Sequence, residues 1–116
     1  MGLPENKVTK QIRDVLKACG IWHYKNYSGG AFNPRKGISD IIGIYKGRYL
    51  AIEVKREDWM PPNPGEASWE HYKEQEDFIK EVNAAGGIGF FANCPEDVVR
   101  ELKLDAQLFP LFKTGE

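Results

Sequence analysis

Apolar positions recur along this chain with two different periods. Between Pro4 and Ala18 they fall at Val8, Ile12, Val15 and Leu16, the i, i+4, i+7, i+8 stripe of an amphipathic helix. Pro4 suits its first turn and Glu5 the positive end of its dipole. Gly20, after Cys19, supplies a left-handed cap. Glu5 lies three residues before Val8, on the side of the stripe.

The period then shortens. Ile21 to Tyr27 reads as a short aromatic strand, with Trp22 and Tyr24 on one face and His23, Lys25 and Tyr27 on the other. Ile38 to Tyr45 and Arg48 to Lys55 are two apolar runs separated only by Lys46-Gly47. A two-residue connection ending in glycine predicts an antiparallel hairpin. Ile52 and Val54 then face one side, and Glu53 and Lys55 the other.

Helical spacing returns after Ser68, which can cap a helix running to about Ala85 and stopped by Gly86-Gly87. Tyr72, Phe78, Ile79 and Val82 mark its buried side, and the amide Gln75 falls inside that stripe. Ile88 to Cys94 predicts a further strand and Pro95 to Lys103 a short helix. Leu104 to Glu116 is an apolar tail with no assigned form. The order αβββαβα predicts an α/β fold, a small mixed β-sheet flanked by helices. The passage from Lys55 to Ile88 predicts a parallel crossover. Two loops interrupt the pattern. Ser28 to Gly37 carries glycines, Phe32, Arg35 and Lys36; Arg56 to Ala67 carries three prolines.

A length of 116 residues, 41% hydrophobic, suits one domain over 1–116 with one core. No apolar stretch approaches the roughly 20 residues of a membrane span. The N-terminus has no basic segment followed by an apolar run, so no signal peptide is expected. Asn6 stands where a myristoylation site has Ser or Thr. Cys19 and Cys94 lack a CxxC partner or metal-ligand spacing, which predicts reduced, packed thiols in a cytoplasmic protein.

Net charge is -1, so no overall basic field points to nucleic acid. Its distribution is uneven. From Gly20 to Leu50 the basic residues are Lys25, Arg35, Lys36, Lys46 and Arg48, and the only acid is Asp40. Such a separation could present one basic face to a phosphate backbone, with Lys25, Arg35 and Lys36 as contacts; an ordinary solvated surface is the competing reading.

The hairpin carries Asp40, Glu53 and Lys55 among apolar residues. Charges so placed cost several kcal/mol unless paired or metal-bound. Magnesium accepts one or two carboxylates and keeps several waters. Asp40 and Glu53 on adjacent strands could share one ion, with the Val54 carbonyl as a third ligand. Such an ion polarises a phosphate and activates water, and Lys55 could orient that water or stabilise phosphate charge. A salt-bridged Glu53–Lys55 pair on a solvated strand face is the bland alternative.

Gly37-Ile38-Ser39-Asp40 followed by Glu53-Val54-Lys55 resembles the active-site signature of the PD-(D/E)XK nuclease superfamily. With Glu5 on the first helix and Gln75 on the helix after the hairpin, the chain looks like the virus-type replication-repair nuclease (VRR-NUC) branch over roughly Pro4 to Lys103. Ser39 departs from the proline of the superfamily name. The resemblance implies a restriction-endonuclease-like core and a stand-alone domain of the phage and bacterial kind. It implies Mg²⁺, replaceable by Mn²⁺, bound by Asp40, Glu53 and the Val54 carbonyl, with Glu5 as a further ligand directly or through water. Lys55 would be the catalytic lysine, and Gln75 would position water or the scissile strand. The activity implied is endonucleolytic cleavage of DNA, structure-selective for branched forms such as four-way junctions, by a homodimer. Trp59, Trp69 and the tail Leu108-Phe109-Pro110-Leu111-Phe112 are candidates for the dimer interface. The competing functions are a non-catalytic DNA-binding or scaffold version of the fold, and a nuclease for RNA or other DNA structures.

Overall fold

A computed structural model describes residues 2–27 and 35–104. The elements are α1 (Glu5–Ala18), β1 (His23–Lys25), β2 (Ile41–Tyr45), β3 (Arg48–Val54), α2 (Trp69–Ala84), β4 (Ile88–Ala92) and α3 (Pro95–Leu102). Their order is the one the periodicity predicts. The tail from residue 105 onward and residues 28–34 of the glycine loop lie outside the described residues.

The four strands form one sheet in the order β1-β2-β3-β4, antiparallel through β3 and parallel between β3 and β4. Lys46 (φ 51°) and Gly47 (φ 77°) both have positive φ, the backbone of a two-residue turn whose twist matches its strands. That turn pairs Tyr45 with Arg48 and sets every pair after it, to Ile41 opposite Ile52.

Alternation along β3 divides the core. Leu50, Ile52 and Val54 join Ile41, Phe90 and Ala92 against Val8, Ile12, Val15 and Leu16 of α1 and Val98, Val99 and Leu102 of α3. On the opposite face Ile42 and Ala51 meet Phe78 and Val82 of α2. Both predicted glycine stops hold. Ile21 N–H donates to Leu16 O at 2.9 Å beside Gly20 (φ 67°), and Gly87 N–H to Val82 O at 2.8 Å beside Gly86 (φ 96°), which satisfies carbonyls that each helix end would otherwise leave open.

Three features depart from the pattern reading or go beyond it. First, β2 starts at Ile41 rather than Ile38. Gly37 (φ 83°) lies so close to α2 that a Cβ there would overlap the Glu74 carbonyl. The chain must clear the helix before it can join the ladder, which leaves Asp40 just ahead of the strand. Second, Trp59 and Trp69 are not free surface residues. Trp59 stacks on Phe91 (5.5 Å between centroids, 8° between planes), Tyr72 lies 5.9 Å from Trp59, and Trp69 lies 5.8 Å from Tyr72. Packing these rings against one another leaves both tryptophans half-buried rather than exposed. Third, the exposed large side chains of the sheet are Trp22, Tyr24, Ile44 and Tyr49, which share the α2 face beyond the reach of that helix.

Cys19 and Cys94 are free thiols. Among the described residues no helix is long and apolar enough to cross a membrane.

Candidate active site

The hairpin register places Asp40 one step beyond the Ile41–Ile52 pair, directly across from Glu53. Both side chains project to the α2 face, two residues on from Ile42 and Ala51. Cross-strand neighbours on one face stand about 5 Å apart at Cβ, so two carboxylates meet at the hairpin's open end.

Asp40 is held by the backbone. Its Oδ2 accepts the Val54 N–H at 2.9 Å, and its own carbonyl accepts the Asn26 N–H at 2.6 Å. The Val54 N–H therefore points to the β2 side, whereas the next amide, Lys55 N–H, points to β4 and donates to Ala92 O at 2.9 Å. A strand residue's carbonyl lies on the same side as its own N–H, so the Val54 carbonyl also faces Asp40.

Glu53 is 3% exposed, and its Oε1 is buried without a partner. Burial pushes its carboxyl pKa up, foremost, and the hydrogen bond and negative charge of Asp40 push it further, to about 10; Lys55 opposes the rise. Burial beside a second carboxylate thus disfavours the ionised form of Glu53. Such a group is costly to bury alone and is relieved by a cation.

Lys55 is also withdrawn from solvent. Its Nζ donates to Gln75 Oε1 at 2.8 Å and lies 4.0 Å from Glu53 Oε2. Two aromatic faces approach it, Trp59 at 5.2 Å and Phe91 at 5.8 Å from the ring centroids. Gln75, 6% exposed, is the amide that the helical spacing placed inside the apolar stripe. It is satisfied on both sides, since its Nε2 lies 3.2 Å from His71 Nε2.

Glu5 reaches the same place from the other layer. Leu3 N–H donates to Glu57 Oε1 at 3.0 Å, and Glu57 N–H donates to Leu3 O at 2.9 Å. This clamp ties the start of α1 to the loop after β3. Glu5 is exposed, yet partial desolvation raises its pKa, and Asp40 adds to the rise while Lys55, Lys25 and Arg56 lower it. Pro4, Glu5, Lys55, Arg56 and Trp59 line one cavity of ≈ 670 Å³ with the proline loop.

The donor set fits a small divalent cation. Two cross-strand carboxylates, one of them with an orphaned buried oxygen, and a carbonyl aimed at them are hard oxygen donors, and magnesium fills its remaining positions with water. Among the described residues no three His, Cys, Asp or Glu side chains converge as a metal cluster. Glu5 thus joins the pair through its field rather than as a third converging ligand.

The basic residues separate. Lys25 is half-buried over the Tyr27 ring at 4.9 Å, close enough to Glu5 to act on it. Arg35 lies elsewhere, making two 2.9 Å hydrogen bonds to Glu81 near the far end of α2. Lys36 is exposed.

Trp59, Phe91 and His71 are site neighbours that the sequence reading did not assign. His71 was reachable, four residues before Gln75 on one helix. Trp59 lies in an irregular loop, where no period signals direction.

No protein-family model matches this chain, and no curated protein sequence matches it.

Proposed function

We propose that this chain is a Mg²⁺- or Mn²⁺-dependent endonuclease that hydrolyses DNA phosphodiesters, with a restriction-endonuclease-like core of the VRR-NUC kind. The observation that carries the reading is Glu53: a buried carboxylate with one unpartnered oxygen, facing Asp40 and 4.0 Å from the Lys55 ammonium. A purely structural Glu53–Lys55 pair would not need a second carboxylate beside it, which raises the cost of the charged state. The resemblance of Gly37 to Asp40 and Glu53 to Lys55 to the superfamily signature supports the same reading.

Each residue then has a role. Asp40, Glu53 and the Val54 carbonyl would hold the cation, which would supply Lewis acidity to the phosphate and favour ionisation of water. Lys55 presents a fixed positive charge where negative charge builds on the attacked phosphate. Gln75 and the two rings keep the ammonium from swinging out to solvent. Glu5 accepts a hydrogen bond from water at the cavity mouth. Water adds to phosphorus, the bond to the leaving oxygen breaks, and that oxygen takes up a proton. Lys25 and Lys36 contact the backbone of DNA, and Arg35 joins them on release from Glu81. Branched DNA as substrate, a homodimer as the working form, and the cytoplasm of a bacterial or phage-infected cell complete the proposal.

The test is cleavage of labelled four-way junction, flap, duplex and single-stranded DNA and of RNA, with Mg²⁺, Mn²⁺ or EDTA. Metal-dependent cuts are expected, reduced about 10²-fold or more in Asp40→Ala and Lys55→Ala. Undiminished cleavage by Asp40→Ala would overturn the site, and DNA binding with no cleavage of any substrate would favour a scaffold.

A further inference from the structure

Lys55 can only donate hydrogen bonds. The 2.8 Å contact between its Nζ and the Gln75 side chain is therefore made to the carbonyl oxygen, Oε1. That choice fixes the rest of the amide. The NH₂ group must point the other way, where it meets His71 Nε2 at 3.2 Å. A donor there requires an acceptor, so His71 Nε2 carries no proton, and the imidazole proton sits on Nδ1. On that side lies a carboxylate, Glu74 Oε1, at 3.7 Å. Each assignment forces the next, from the strand to the exposed edge of α2.

We infer that His71 is a positioning residue, which holds the Gln75 carboxamide in the orientation that presents Oε1 to Lys55. This rests on the nuclease reading for its consequence, but the geometry stands independently of it. Without an acceptor at position 71, only the Lys55 contact is left to select one of the amide's two orientations. With a donor there, that donor competes with Lys55 for Oε1, and in the opposite orientation NH₂ faces the ammonium. Donor meets donor, and Lys55 gives up its contact with Gln75. Helical spacing makes this possible, because residues four apart on α2 share a face. The His71 side chain is 69% exposed, so its replacement does not disturb the core.

Three substitutions separate the cases. Gln reaches as far as His and ends in an acceptor. Ala ends in nothing, and Lys reaches as far but only donates. His71→Gln is expected to cleave DNA like the wild type. His71→Lys is expected to lose about tenfold in kcat with KM little changed, and His71→Ala to fall between. A kcat order in which His71→Lys equals His71→Gln overturns the inference, as does an effect confined to KM, which would report DNA attraction alone. A second readout needs no activity. The Lys55 ammonium signals in ¹⁵N NMR spectra, on the far side of the carboxamide from position 71, are expected to overlay in wild type and His71→Gln and to move in His71→Lys. Unmoved signals in His71→Lys overturn the inference. If no form of the protein cleaves DNA, the nuclease reading falls and the Lys55 ammonium signals alone decide the positioning role.

Discussion

Asp40 Oδ2 accepts the Val54 N–H at 2.9 Å, so the carboxylate that would bind metal also closes the open end of the hairpin. Two roles on one side chain can be separated by substitution. Asn keeps an oxygen acceptor for the amide but loses the charge, and Ala loses both. Asp40→Asn is expected to keep near-native stability, and Asp40→Ala to lose about 1 kcal/mol. Both should lose metal-dependent cleavage. Chemical denaturation beside the cleavage assay checks this, and equal destabilisation by Asn and Ala would show that the amide does not depend on that oxygen.

Glu53 predicts an unusual pH dependence for the metal-free protein. Its folded-state pKa is raised from the ordinary 4.5 to about 10, by burial first and then by Asp40. A raised value means that the folded state holds the proton more tightly than the unfolded one. The stability so contributed is complete below about 4.5 and is lost as pH rises through the folded value. Melting temperature in EDTA should therefore fall with rising pH more steeply for wild type than for Glu53→Gln. Mn²⁺ at alkaline pH should restore it in wild type by binding only the folded form, and not in Glu53→Gln. Parallel pH profiles for the two proteins would contradict the assignment.

Gly37 should resist substitution. Its positive φ of 83° disfavours any side chain, and a Cβ would run into the Glu74 carbonyl and the Gln75 amide. Gly37→Ala is expected to cost about 2 kcal/mol or more. It should also weaken cleavage in the remaining folded protein, since the shift falls between Asp40 and Gln75. An alanine variant of native stability would mean that the loop and helix can part without penalty.

Ser39 predicts a gain. It is fully buried, and its Oγ has no hydrogen-bond partner. Ala removes that unsatisfied hydroxyl and little volume. Ser39→Ala should match the wild type or exceed it by up to about 1 kcal/mol in denaturant unfolding. A clear loss of stability would show that the hydroxyl is bonded after all.

Much of this arrangement is determined by the sequence itself. The two apolar periods specify the seven elements in order, because helix and strand repeat their side chains at different intervals. Lys46-Gly47 permits a two-residue turn, and such a turn leaves a single register, so Asp40 and Glu53 must face each other on one side. Two-residue alternation then places Lys55 with them, and the stripe of α2 brings Gln75 inward. All of these follow from neighbours along the chain.

Tertiary structure alone decided the rest. Glu5 is brought to the cavity beside Lys55 with the help of Leu3 and Glu57, 54 residues apart, which exchange hydrogen bonds. Trp59 covers Lys55 because its loop folds back onto Phe91. Arg35 is drawn to Glu81, 46 residues away. Asp40 stands just outside β2 because Gly37 first has to pass α2. Loops have no repeat to announce where their side chains point, and their contacts form only once separate elements have packed. The pair at the hairpin is thus written locally, whereas the surroundings that hold Lys55 and bring up Glu5 are products of the assembled fold.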